Sequence, residues 1–162
     1  MARYITSVAT PLSPDTAFSF MADVTRFTEW DPGVERAVQV AGEGPGVGAA
    51  YDLTVRTIGR TVMRYEVETY EAPRRLRLVS QTRFVTSVDE VRVERDGTGS
   101  VVTYDATLTL RGRLALFDRL LHVAFTRIGD RAAAGLRRAL GGSARAAPHA
   151  NGSPATSRET AR

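Results

Sequence analysis

At 162 residues the chain suits one domain, since domains commonly run to about 100–200 residues, and its 43% hydrophobic content supports a packed core rather than disorder. It has no Cys and only two His, His122 and His149, which excludes disulfides, thiolate nucleophiles and a multi-histidine zinc site. The net charge of +4 rests on 22 basic residues, all Arg, and these interleave with acids, as in Arg92-Val93-Glu94-Arg95-Asp96, so a mixed-sign solvated face is expected and a nucleic-acid partner is not.

No stretch approaches the roughly 18–20 apolar residues of a membrane span, and the N-terminus lacks the apolar core of a secretory signal. No integral membrane segment and a cytoplasmic location are therefore expected.

Arg3 to Ala9 reads as a first strand. Pro11 breaks it, and Ser13-Pro14-Asp15 starts a helix: Ser13 caps, Pro14 suits the first helical position, and Asp15 favours the positive helix end. Ala17, Phe18 and Met21 then share one side at helical spacing. A second short helical segment, near Val24 to Glu29, stops at Trp30-Asp31-Pro32-Gly33, where Pro32 disfavours a helical neighbour.

From Val34 to Leu110 the period changes to two. Val38 and Val40 lie in one strand, and Gly42 to Gly48 forms a turn. Tyr51, Leu53 and Val55 alternate with polar residues, as do Met63, Tyr65 and Val67. Leu76, Leu78 and Ser80 follow, then Val91 and Val93. Asp96-Gly97-Thr98-Gly99 is a hairpin signal, and Val102, Tyr104, Ala106, Leu108 and Leu110 complete the last strand. Short turns between successive strands predict an antiparallel meander with one buried face. With the first strand the count is seven.

Leu114 to Leu140 supplies the cover. Leu114, Phe117, Leu121, Ala124, Phe125, Ile128, Ala132, Gly135, Leu136 and Ala139 form one stripe at helical period, and Gly141-Gly142 ends the helix. Residues 1–142 are thus read as one domain. Residues 143–162, rich in Ala, Ser, Pro and Arg, read as a disordered tail.

The order strand, two short helices, six strands, long helix resembles the helix-grip α+β fold of the START/Bet v 1-like (SRPBCC) superfamily. The likeness extends to its bacterial polyketide cyclase/dehydrase and lipid-transport branch. It is carried by Pro14-Asp15-Thr16-Ala17-Phe18, by the run Asp23 to Gly33, which is similar to the family's Asp-x-x-x-aromatic-x-x-Trp pattern, and by the glycine-rich turn Gly44 to Gly48. The resemblance implies a curved sheet around a long helix, an apolar cavity between them and a hydrophobic small-molecule partner such as a lipid, polyketide or aromatic metabolite. No cofactor or metal is implied, and monomer and homodimer stay open. Because the superfamily includes carriers, sensors and cyclases, the fold leaves the chemistry undecided. Binding, cyclase or dehydratase activity, and protein recruitment by the helix pair or tail all stay open.

Ligand-lining candidates are Phe27, Trp30, Tyr51, Leu53, Met63, Tyr65, Leu78, Tyr104, Leu121 and Phe125. Inward Tyr51, Tyr65 and Tyr104 need hydroxyl partners, and a mainly apolar interior with a few polar points is the usual make-up of a small-molecule pocket. Core packing is the competing reading for each, as it is for Trp30. Asp118 and His122 are four apart on the last helix, a spacing that fits either proton transfer or an ordinary helix-surface pair. Asp89 alternates with Val91 and Val93, so regular pairing turns it inward as a buried carboxyl. A bulge near Thr86-Ser87 would turn it out.

Overall fold

A computed structural model describes residues 1–57, 59–111 and 118–145, with backbone alone at 57 and 118–124. The elements run β1 (Ala2–Thr10), α1 (Pro14–Ala22), a 3-10 turn (Val24–Arg26), α2 (Phe27–Trp30), β2 (Val34–Ala41), β3 (Ala50–Thr57), β4 (Gly59–Glu71), β5 (Arg75–Gln81), β6 (Val85–Asp96), β7 (Gly99–Leu110), α3 (Asp118–Ala139) and β8 (Ser143–Arg145). This is the helix-grip α+β architecture.

One sheet holds all the described strands in the order β2-β3-β4-β5-β6-β7-β1-β8. Each sequential hairpin pairs antiparallel, and β1 returns beside β7, with Ala2 opposite Leu108 and Thr10 opposite Ser100. The sheet has eight strands where seven were expected. Ser143–Arg145, placed in the tail by composition, pairs antiparallel with Ser7–Ala9. Three residues are too few for periodicity to reveal. What places them is contact: a Cβ on Gly142 would lie 2.4 Å from the Ala9 carbonyl oxygen, so the glycine lets the chain leave α3 flush against β1. Residues 146–162, including His149, lie outside the described residues.

Ser13 caps α1 as its chemistry dictates, its hydroxyl accepting from the Thr16 amide at 3.2 Å. The buried side of α1 comprises Ala17, Phe18, Phe20, Met21 and Ala22, and the Phe18 ring meets Tyr70 edge-on at 5.3 Å. Two hydroxyls tie this end together: Thr10 donates to the Leu140 carbonyl at 2.6 Å, and Ser100 to the Leu12 carbonyl at 2.9 Å.

At 22 residues α3 is about 33 Å long. Its C-terminal half buries Ala132, Ala133 and Leu136, which continues the predicted stripe. The side chains of Leu114, Phe117, Leu121 and Ala124 lie outside the described ones. Where α3 crosses α2 the fit is tight, because a Cβ on Gly135 would fall 1.8 Å from the Trp30 carbonyl oxygen. Only glycine allows that approach.

Candidate functional site

The inner face of the sheet is read most directly from its cross-strand rows. Tyr51 pairs with Tyr65, Tyr65 with Ser80, and Ser80 with Ser87. In the next row Val67 pairs with Leu78, Leu78 with Asp89, and Asp89 with Ala106. The third row sets Tyr70 against Leu76, Leu76 against Val91 and Val91 against Tyr104. An irregularity in β4 between Val67 and Thr69 shifts the alternation by one residue and brings Tyr70 onto the inner face.

Pairing of β6 with both neighbours runs without a shift from Thr86 to Arg92. There is accordingly no bulge at Thr86-Ser87, and Asp89 faces inward at 6% exposure. Around it stand the polar groups of the interior. The Tyr65 hydroxyl donates to Ser87 Oγ at 3.0 Å, and Asp89 is hydrogen-bonded to Tyr104 and Ser87. Burial pushes the Asp89 carboxyl up to about 7, although the hydrogen bond from Tyr104 favours the ionised form. Asp31, close enough to raise it further, is itself raised by burial, partly offset by the Gly33 amide, which donates to Asp31 Oδ1 at 2.8 Å. The phenols of Tyr65 and Tyr104 lie well above the ordinary tyrosine value, first through burial and then through the adjacent Asp89 charge.

Trp30 stands over this group. Its ring meets Tyr104 edge-on at 5.2 Å and Phe27 at 4.8 Å. Among the described residues its Nε1 and Ser80 Oγ are buried without a hydrogen-bond partner, as is Thr86 Oγ1, which alternates to the opposite face from Ser87. A buried donor left unpaired costs about 1–3 kcal/mol, so an acceptor reaching Trp30 Nε1 or Ser80 Oγ would be stabilised.

Of the predicted ligand-lining residues, Phe27, Trp30, Tyr51, Leu53, Tyr65, Leu78 and Tyr104 belong to one buried cluster, with Met63 and Phe125 half-buried against it. Leu121 and the Asp118–His122 pair fall among the side chains outside the described ones. Sequence reasoning missed three members of the polar group as site residues. Ser87 and Ser80 sit on the same period-two positions as Asp89 and Leu78, a signal that would have found them. Asp31 reads locally as a turn residue, and only tertiary packing brings it near Asp89.

Two surface depressions lie elsewhere. One, about 440 Å³, is formed by α1 and the 3-10 turn around Phe20 and Arg26; the other, about 250 Å³, lies on the outer sheet face around Arg77 and Glu90. Neither touches the inner polar group.

No curated protein matches the chain. Among solved structures it is similar to a START superfamily protein from Mycobacterium smegmatis, with a TM-score of 0.72 at 13% identity over 87% of this chain and 98% of that one. It is also similar to a conserved protein from Geobacillus kaustophilus, with a TM-score of 0.66 at 12% identity over 89% and 99%. Ginseng major latex-like protein 151 from Panax ginseng gives a TM-score of 0.54 at 14% identity over 80% and 97%. At such identities these likenesses carry the fold alone. A profile of one sequence family matches residues 1–141, nearly the whole of the folded portion from β1 to the end of α3. The chain belongs to the polyketide cyclase/dehydrase and lipid-transport family.

Proposed function

We propose that the protein binds a hydrophobic small molecule between the inner face of the sheet and α3. The family and the fold support hydrophobic ligand binding in general. The observation that carries the reading is the Asp89 group: a buried carboxyl, two phenols and two unpartnered polar atoms on an otherwise apolar face. Packing alone gives no reason to retain such groups, since buried polar atoms are ordinarily paired. Covering roughly 300 Å² of apolar ligand surface would contribute on the order of 7 kcal/mol before association costs, which is enough for micromolar binding. The only tryptophan, Trp30, lies in the site, so its fluorescence reports occupancy. Titration with a panel of apolar ketones, alcohols and phenols should give saturable changes, with one-to-one complexes in native mass spectrometry. Absence of both sinks the binding reading.

The protonation of Asp89 favours a second reading, acid–base catalysis such as cyclisation or dehydration of a polyketide. A carboxyl pushed up to about 7 is matched to proton transfer near neutrality. Asp89→Asn would then abolish turnover while leaving affinity nearly unchanged, and Asp118 and His122 would be tested the same way.

A further inference from the structure

Resting on the binding reading above, the geometry points to a ligand of defined charge: an uncharged apolar molecule presenting a carbonyl or phenolic oxygen to the Asp89 group, with anionic lipids such as fatty acids and phospholipids rejected.

Trp30 Nε1–H can only donate, and on a residue 2% exposed it has no partner among the described residues. Ser80 Oγ, fully buried, also lacks a partner. Both sit beside residues already joined to one another, Trp30 through its ring contact with Tyr104 and Ser80 through its pairing with Tyr65 and Ser87. A donor that cannot accept calls for an acceptor on the guest, which an oxygen supplies and an ammonium does not.

Charge decides which oxygen. Asp31 raises Asp89, and both carboxyls raise Tyr65 and Tyr104, with no cation among the described residues offsetting them. No described arginine is among the buried residues. Those nearest β6 lie on its other face, where Arg75 and Arg92 reach Glu90 at 3.1 and 2.6 Å, and Arg3 reaches Asp105 at 2.6 Å. A carboxylate or phosphate brought inside would lose its hydration and meet like charge, with no described guanidinium to replace the water. A ketone or phenol brings no charge, and its oxygen finds donors in place.

The test is a matched pair of equal chain length, 2-undecanone and undecanoate, titrated calorimetrically at pH 8, where the acid is fully ionised. The ketone should bind at least tenfold more tightly. Trp30→Phe, which keeps the ring and removes the donor, should weaken ketone binding about fivefold, the worth of one hydrogen bond. Asp89→Asn, which removes the carboxylate charge and adds an amide donor, should retain the ketone and narrow the tenfold preference. Undecanoate binding as tightly as the ketone to the wild-type protein overturns the charge selection and leaves the binding reading standing. Failure of both compounds to bind overturns both. The wild-type comparison needs no variant to fold.

Discussion

Asp89 and Glu90 are consecutive residues of β6, both buried, facing opposite sides of the sheet with opposite surroundings. Glu90 lies against Arg75, Arg77 and Arg92 at 3.1, 3.8 and 2.6 Å. Asp89 meets phenols, a serine and another carboxyl. Strand alternation alone sorts them: one carboxylate completes an ion network on the wet face, and the other sits on the dry one, where burial raises it to about 7.

Stability should fall as pH rises because of Asp89. Its folded value, about 7, stands above the ordinary 3.8, so the native state keeps a proton that the unfolded chain releases. The contribution is complete below pH 4 and is lost as pH climbs to 7, by on the order of 4 kcal/mol in the limit. Asp31 is shifted the same way and adds to the slope. Glu29, Glu35 and Asp52 are shifted down by their arginine partners and act in the opposite sense, below pH 4.5. Urea unfolding from pH 5 to 8 should therefore show a clear decline, flatter in Asp89→Asn. Parallel slopes for the two proteins would refute the assignment.

Glu90→Gln removes the acceptor shared by three guanidinium groups that are themselves 34–51% exposed. Solvent screening keeps the cost modest, about 1–2 kcal/mol at low salt. It should shrink at about 1 M salt, where the Debye length falls to about 3 Å. Denaturation midpoints at two ionic strengths check this.

Gly135→Ala inverts the usual helix rule. Alanine ordinarily stabilises a helix interior by about 1 kcal/mol over glycine, but here its methyl would occupy the space of the Trp30 carbonyl oxygen, 1.8 Å away. A net loss exceeding about 2 kcal/mol is expected from the forced separation of α2 and α3. A calorimetric melt gives the sign directly.

Most of the fold was legible in the sequence because its two periods are clean. Val91 and Val93 alternate with charged residues, and Ala132, Leu136 and Ala139 recur at helical spacing, so strand and helix follow from burial alone. Ser13-Pro14 likewise marks the start of α1 through local chemistry. What escaped needs contacts between distant parts of the chain. The three residues of β8 are a strand only because β1 offers them a free edge. Asp31 is a site residue only because the turn after α2 packs toward β6. Asp89 was readable as far as its alternation, and the choice between inward and bulged awaited the register.

Truncation after Gly142 removes β8 and with it the pairing to Ser7–Ala9 and the ion pair of Arg145 with Asp96. About 1 kcal/mol should be lost, a few degrees in Tm. The uncovered edge of β1 should also raise concentration-dependent association, visible by light scattering.

The contact of Gly135 with Trp30 pins α3 at one end, where backbone meets backbone and neither side can give. Any change in the spacing of α2 and α3 must therefore be taken up away from that point, along a helix whose main partners are β1 and α2.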